Sequence, residues 1–471
     1  MTPRQLLRLI LVGLGTSVVP LDTAVNIGFP DITRSFGLPI QMIQWVVICY
    51  VLTYASLMLG FGRVGDIFGH ARVFRVGLAW SVAAFLLCAA APAYGWLLFC
   101  RFLQGIGAGL VISVAPALVT GLYPETRRSR GVAAFAMIFA LASASGPLIG
   151  GALVARWGWP AVFWFRAPIA LVALIFYKGL PRAAGAGERQ PLDLAGALLL
   201  ALTISSLLVG INQLPRLGRM DWRALPLFAF AAIGFYAFIR REAHFPAPII
   251  NLELFRSRSF VAVNSASVLI YFTSFSVLLF VPYYLVRTAG FSLPVAGAML
   301  AASFVGTIAA SPLAGWLVER VSAMRIGCLG ALLGGAGLMG LGAVNASIPI
   351  GTLPIRAGPI LVVLILAALI LQGFGVGLFQ VAYMDVVLGR LPQHDRGVAG
   401  SIAMATRTVG IVSGATLLTL LFHEIEAAAL TAGQPAPAAF LSAFRLTLSA
   451  AGVVSILTGL AALALANSPK A

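Results

Sequence analysis

Apolar stretches of about twenty residues recur along the whole chain. Short connectors that hold most of the charge join them, and each stretch is long enough to cross a bilayer as a helix. They lie at 7–30, 42–62, 73–92, 94–123, 131–155, 161–180, 194–214, 224–239, 259–286, 294–318, 325–345, 359–388, 397–421 and 441–466. None shows the strict alternation of apolar and polar residues that marks a membrane strand. A backbone in lipid must satisfy its own hydrogen bonds, so uncharged runs of this length predict helices. The pattern therefore describes an all-α polytopic membrane protein with about fourteen spans.

Composition agrees: 60% of the 471 residues are hydrophobic and 10% charged, where a soluble chain carries about 25% charged residues. The net charge of +17 raises the possibility of a nucleic-acid partner, and the placement of the charge argues against one. The basic residues do not form a single soluble face; they sit between the apolar runs. With the N-terminus inside, most fall in cytoplasmic connectors, among them Arg127, Arg128, Arg130, Arg240, Arg241, Arg256 and Arg258. Fewer fall outside, Arg34, Arg216 and Arg356 included, which places both termini in the cytoplasm. Arg4 and Arg8 precede the first run in the manner of a signal peptide. That run contains Pro20 and Asp22 and no small-residue cleavage site, so it reads as a retained first helix. Cys49, Cys88, Cys100 and Cys328 are isolated within apolar runs and fit no disulfide or metal spacing.

The chain repeats itself. Leu103-Gln104-Gly105-Ile106-Gly107-Ala108-Gly109-Leu110 returns as Leu371-Gln372-Gly373-Phe374-Gly375-Val376-Gly377-Leu378, and Arg130-Gly131-Val132-Ala133 returns as Arg396-Gly397-Val398-Ala399. Gly62, Asp66 and Arg72 match Gly315, Glu319 and Arg325 in the same order. The expected organisation is an N-terminal six-helix bundle at 1–180, a two-helix insert with its linkers at 181–258, and a C-terminal six-helix bundle at 259–471. Parallel repeats around a midplane site are the frame of a secondary transporter working by alternating access.

Ionisable residues inside spans are expensive and mark functional sites by default. Asp22 lies in the first run, with Asn26 four residues on and so on the same helical face. Arg101 lies at a similar depth in the fourth run, with Gln104 three residues on. An arginine charge favours the ionised carboxylate while burial disfavours it, and a balance of that kind suits a proton switch. The repeat sharpens the point, because Leu369 stands where the second copy would carry the arginine. Asp385, whose counterpart is Ala117, has Arg407 as a possible partner in the thirteenth run. The segment 62–72 reads as a tight cytoplasmic turn: Gly62, Gly65 and Gly69 permit close approach or positive φ. Asp66 there can pair with a helix N-terminus or a base. With its copy at 315–325 it forms a candidate gate latch. Ala142, Gly146 and Gly150 recur every four residues beside Pro147 and Gly151, a spacing that lets two helices touch.

Other chemistries are absent. Lys178 and Lys470 are the only lysines, and neither ends a phosphate-binding loop, so ATP is not an expected energy source within the chain. His423-Glu424 starts like a zinc helix, but Ala427 occupies the place of the second histidine. No metal, cofactor or catalytic residue is expected.

These residues resemble the major facilitator superfamily, and within it the 14-span drug/proton antiporter branch. Segment 62–72 is similar to the superfamily signature Gly-x-Leu-x-Asp-Arg-x-Gly-Arg-Lys-Arg, with Ile67, His70 and Ala71 replacing basic positions. Arg101-Phe102-Leu103-Gln104-Gly105-Ile106-Gly107 resembles the fourth-span signature whose arginine is linked to proton transfer. Gly146-Pro147-Leu148-Ile149-Gly150-Gly151 resembles the antiporter signature of the fifth span, with Ala142 for a usual glycine. Leu21 to Pro30 is similar to Leu-Asp-x-Thr-x-x-Asn-Val-Ala-Leu-Pro, one residue shorter between Asp22 and Asn26, and Arg407 matches an arginine common in the thirteenth span. The resemblance implies a major facilitator fold and proton-coupled export of amphipathic or cationic small molecules. Asp22 would be the protonation site, the proton gradient the energy source, and a bacterial plasma membrane the setting. The working partners are then a small-molecule substrate, protons and lipid, with a monomer as the unit. An uptake symporter or single-metabolite exporter, and a non-transporting sensor or partner subunit, are the competing expectations.

Overall fold

The chain resolves its backbone polar groups as the apolar pattern requires: among the described residues there are helices and no strands. The computed structural model describes residues 3–123, 128–176, 193–212, 222–245, 257–344, 359–390 and 396–466. Within them, 11 helical stretches are long and apolar enough to cross a membrane. They correspond to the expected runs except those at 161–180, 194–214 and 224–239. The first of these is split at Phe165 into two short helices, and the second runs on into residues outside the described set. The third lies in the helix Leu225–Glu242, whose last turn carries Arg240, Arg241 and Glu242.

By internal contacts the chain forms two compact units. One comprises Met1–Leu207 with Pro226–Ile249, the other Leu208–Leu225 with Ile250–Ala471. The first unit holds α1 (Pro3–Ser17), α2 (Ala24–Ile27), α3 (Phe29–Ser35), α4 (Gln44–Phe68), α5 (His70–Ala89), α6 (Tyr94–Thr120), α7 (Arg128–Trp157), α8 (Ala161–Trp164) and α9 (Arg166–Ile175). Most of α10 (Leu194–Asn212) and nearly all of α11 (Leu225–Glu242) also belong to it. Asp193 accepts the Gly196 N–H at 2.7 Å at the start of α10 and pairs with Arg241 of α11 at 2.5 Å. The second unit contains α12 (Arg258–Tyr283), a π-helical turn at Tyr284–Thr288, α13 (Leu293–Val318), α14 (Ala323–Val344), α15 (Pro359–Arg390), α16 (Arg396–Thr431) and α17 (Ala436–Ala466).

The first run is not the single helix its apolar character suggests. Proline lacks an N–H and clashes with the preceding turn, and Pro20 falls where the hydroxyls of Thr16 and Ser17 already donate to Val12 and Leu14 carbonyls at 2.7 Å. Helix α1 stops at Ser17, and the chain continues as a 3-10 turn at Pro20–Thr23, then α2 and α3. Asp22 and Asn26 therefore sit on different helical segments instead of one face of one helix. The segment 62–72 is corrected in the opposite sense. Helix α4 runs unbroken to Phe68, and the whole reversal is made by Gly69 at φ 91, a left-handed conformation that side chains disfavour.

Within each unit the repeated glycine sequence does the same work. A Cβ on Gly105 would lie 2.6 Å from Thr53 Cβ and 2.8 Å from Tyr50 O of α4, and one on Gly107 would lie 2.5 Å from Ser81 Oγ of α5. Gly109 faces α4 again, at Phe61. In the second unit, Gly373 meets Ser303 of α13, Gly375 meets Gly330 and Gly334 of α14, and Gly377 lies against Thr307 of α13, where a Cβ would stand 2.7 Å from the carbonyl oxygen. A central helix is thus clasped between two neighbours by glycines on alternating faces, in both copies. Small residues allow this where apolar side chains would compete with lipid for nothing.

Gly375→Val is expected to lower the melting temperature of the detergent-purified protein sharply, since overpacking costs about 1–3 kcal/mol. Gly315→Ala, at a position with open space around it, is expected to melt within error of the wild type. Equal melting of the two variants in a thermal-shift measurement contradicts the assignment.

Candidate functional site

The break in the first run sets Asp22 on a 3-10 turn between helix ends, and α7 fixes that turn from behind. A Cβ on Gly146 would overlap Thr23, and one on Gly150 would lie 2.8 Å from Ala24 O and 2.9 Å from Ile27 Cγ2. Thr23 Oγ1 donates to Ser143 O of α7 at 2.8 Å. Ala142, Gly146, Pro147, Gly150 and Gly151 are buried, and α7 stays continuous through Pro147. The stripe of small residues therefore serves as the seat of the segment that carries Asp22.

In that seat the carboxylate meets two guanidinium groups. Arg101 of α6 donates from Nη1 to Asp22 Oδ1 at 2.6 Å and from Nη2 to Oδ2 at 2.8 Å, a bidentate pair. Arg166, the first residue of α9, donates from Nη1 to the same Oδ1 at 2.7 Å. Gln104 adds a third donor to Oδ1 at 2.9 Å and with its own oxygen accepts from Arg101 at 2.9 Å. Backbone carbonyls steady both arginines: Val46 O accepts Arg101 Nε at 2.7 Å and Val162 O accepts Arg166 Nε at 3.1 Å.

Burial makes the cluster costly to rearrange. The Arg101 and Arg166 side chains are 1% and 0% exposed, and Asp22 keeps 14%. Aromatic faces complete the walls, with Arg101 over Tyr50 at 4.3 Å and Arg166 over Phe85 at 4.5 Å. Such faces attract cations through the ring quadrupole and lessen the cost of burial without cancelling the charge.

The structure thus brings together Asp22, Arg101 and Gln104 from the residues that the sequence singles out. Asn26 is buried in α2 and makes none of these contacts. Arg166 is the member that the pattern misses. It falls close to the start of a run and reads as an outer-edge residue, although the apolar stretch Ala161–Phe165 before it is the signal of an interior position. Asp385 is exposed on α15 and forms no ion pair with Arg407, whose guanidinium lies 5.5 Å from the Tyr271 ring centre. In 62–72, Gly65 is the close-approach glycine, where a Cβ would lie 2.5 Å from Val114 Cγ1, while Gly62 has open space. The Asp66 side chain lies outside the described residues, and Arg72 is exposed. In the second copy, Glu319 and Arg325 are exposed and not paired with each other, and Gly315 has open space. A buried polar group of a different kind occupies the second unit. Tyr383 donates to Asn264 Oδ1 at 2.8 Å, and Ser267 and Thr406 share a hydrogen bond of 3.0 Å.

The repeat isolates the chemistry. Leu369, fully buried, stands in register with Arg101, and Gln372, the copy of Gln104, accepts from neutral Ser303 Oγ at 2.8 Å. The same frame holds a charged cluster in one unit and a neutral contact in the other.

A helical chain that crosses the membrane many times, built on a duplicated frame with charge buried in one copy, is a membrane transporter. The family model described as Major Facilitator Superfamily matches residues 10–415 and 263–471, and the chain belongs to that superfamily. It is 28% identical over 420 residues to the multidrug resistance protein Stp of Mycobacterium tuberculosis (strain CDC 1551 / Oshkosh), covering 89% of this chain and 76% of that protein. It is 26% identical over 418 residues to the riboflavin transporter RibZ of Clostridioides difficile (strain 630), covering 88% of each. The fold matches the solved peptide transporter POT in complex with sulfate at a TM-score of 0.71 and 17% identity, over 98% of this chain and 94% of that one.

Removing one partner of a buried ion pair leaves an uncompensated charge at a cost of about 3–5 kcal/mol. Asp22→Ala is therefore expected to destabilise the purified protein by about that amount. Arg34→Ala breaks an exposed pair with Asp31 at 3.9 Å and is expected to cost under about 1 kcal/mol. Chemical unfolding in mixed micelles checks the ranking, and a reversed order refutes it.

Proposed function

We propose that this chain is a proton-coupled exporter of amphipathic small molecules, working by alternating access with Asp22 as the group that takes up the proton. The observation that carries the reading is the single carboxylate that holds α6 and α9 through Arg101 and Arg166 at 2.6–2.8 Å. A proton on Asp22 removes the charge that both guanidiniums share, so one binding event loosens two helices at once. Coupling needs a local charge change that biases a two-state element, and this geometry supplies the charge change. The Gly146–Gly151 seat transmits the position of the Asp22 segment to α7. The segments 62–72 and 315–325 act as cytoplasmic gates.

In this reading the chain has about fourteen spans, with both termini in the cytoplasm and the bacterial plasma membrane as its location. It works as a monomer, with 1–180 and 259–471 as the two bundles and 181–258 as the insert. Multidrug resistance in a relative such as Stp supports export of drug-like compounds. The cluster favours amphipathic over simple cationic cargo, because the Asp22 charge is already taken by arginines. The second reading, a carrier for one metabolite, is favoured by the similarity to RibZ.

Proteoliposomes with an imposed pH gradient decide between them. A panel of dyes, antibiotics and riboflavin is expected to release protons through the wild type for several members, and Asp22→Asn is expected to abolish the release. Full coupling in Asp22→Asn removes Asp22 from the mechanism. Release by riboflavin alone establishes the second reading instead.

A further inference from the structure

The cluster is not neutral. Two guanidiniums converge on one carboxylate, and the remaining contact, Gln104, carries no charge. Every nitrogen of Arg101 is engaged: Nε, Nη1 and Nη2 all donate. Arg166 is not. Its Nη2 is fully buried and has no hydrogen-bond partner, although the side chain is 0% exposed. The acceptor side is uneven as well, with three donors crowded on Asp22 Oδ1 and one on Oδ2.

A buried charge without a counter-ion is among the most expensive features a fold can keep, and the rings of Phe85 and Tyr50 offset only part of it. Such a surplus at a site bordered by aromatic faces has the chemistry of an anion receptor. Asp22 is the one member with exposed side-chain surface, so a ligand approaches past the carboxylate. Asp22 also sits on the 3-10 turn between α1 and α2, outside both helices.

We infer that Arg166, with Arg101, forms an anion subsite that takes the singly charged group of an aromatic substrate such as an aryl carboxylate. Asp22 is the internal anion that occupies this subsite when no substrate does. Substrate and carboxylate are then alternative partners for the same guanidiniums, which makes Arg166 the residue that selects for charge. The inference deepens the transport reading and names a substrate class for the same site.

The test is equilibrium binding of radiolabelled benzoate, benzamide and benzylammonium to the full chain in nanodiscs. The wild type is expected to bind benzoate at least tenfold more tightly than benzamide and not to bind benzylammonium. Asp22→Asn, which frees both arginines, is expected to bind benzoate at least tenfold more tightly than the wild type. Arg166→Gln is expected to lose the preference for benzoate over benzamide, and Arg166→Lys to regain part of it. Size-exclusion profiles report folding, and if Arg166→Gln fails to fold, the gain in Asp22→Asn decides. Equal affinity of the wild type for benzoate and benzamide, or weaker benzoate binding by Asp22→Asn, overturns the subsite. Dye-driven proton release without carboxylate preference sinks the subsite and leaves the exporter standing. Benzoate binding without flux of any solute does the reverse.

Discussion

One carboxylate shared by two buried guanidiniums is the constraint on which the first unit turns. Charges taken out of water are stable only when they are paired and their remaining donors and acceptors are satisfied. Most of the local architecture follows from meeting that demand at Asp22. The first run breaks so that the carboxylate stands on a turn, and α7 is stripped to glycine and alanine where it supports that turn. Val46 and Val162 lend backbone oxygens to the arginines. A fold that needed only stability would have placed leucine there, as the second unit does at Leu369.

The duplicated frame shows how such a site can be added without rebuilding the protein. Glycines at 105, 107 and 109, and again at 373, 375 and 377, press one helix closely against two others. That packing is indifferent to what the neighbouring positions carry. Arg101 and Leu369 therefore occupy the same place in equivalent clasps, and Gln104 and Gln372 turn to an ion and to a serine respectively. Shape is held by the repeat, and charge is free to differ.

Much of this was legible in the sequence, for physical reasons. Helices in lipid are announced by length and apolarity alone, and the repeat survives as shared glycines because close contacts tolerate nothing larger. Asp22 and Arg101 stand out because a charge in a span is rare. Arg166 escaped because a charge close to the start of an apolar run is ordinary. The apolar stretch Ala161–Phe165 that precedes it is the sign of its buried place. Pro20 was visible within the first run, and the helix stops just before it, at Ser17. Arg407 as a partner for Asp385 rested on its being an ionisable residue in the next span, and that says nothing about which face of a helix a residue occupies. Gly62 and Gly315 likewise matched in sequence, yet only Gly65 and Gly69 carry a close approach or a left-handed turn.

Asp22 is in contact with Arg166 as well as with Arg101, and a double-mutant cycle on Asp22→Asn and Arg166→Gln reads the energy of that link directly. Unfolding free energies of the wild type, both single variants and the double variant are to be measured in mixed micelles. A coupling energy above about 1 kcal/mol is expected, as for residues in direct contact. Additive effects of the two substitutions would mean that Arg166 merely lies near the carboxylate and would contradict a shared ion cluster.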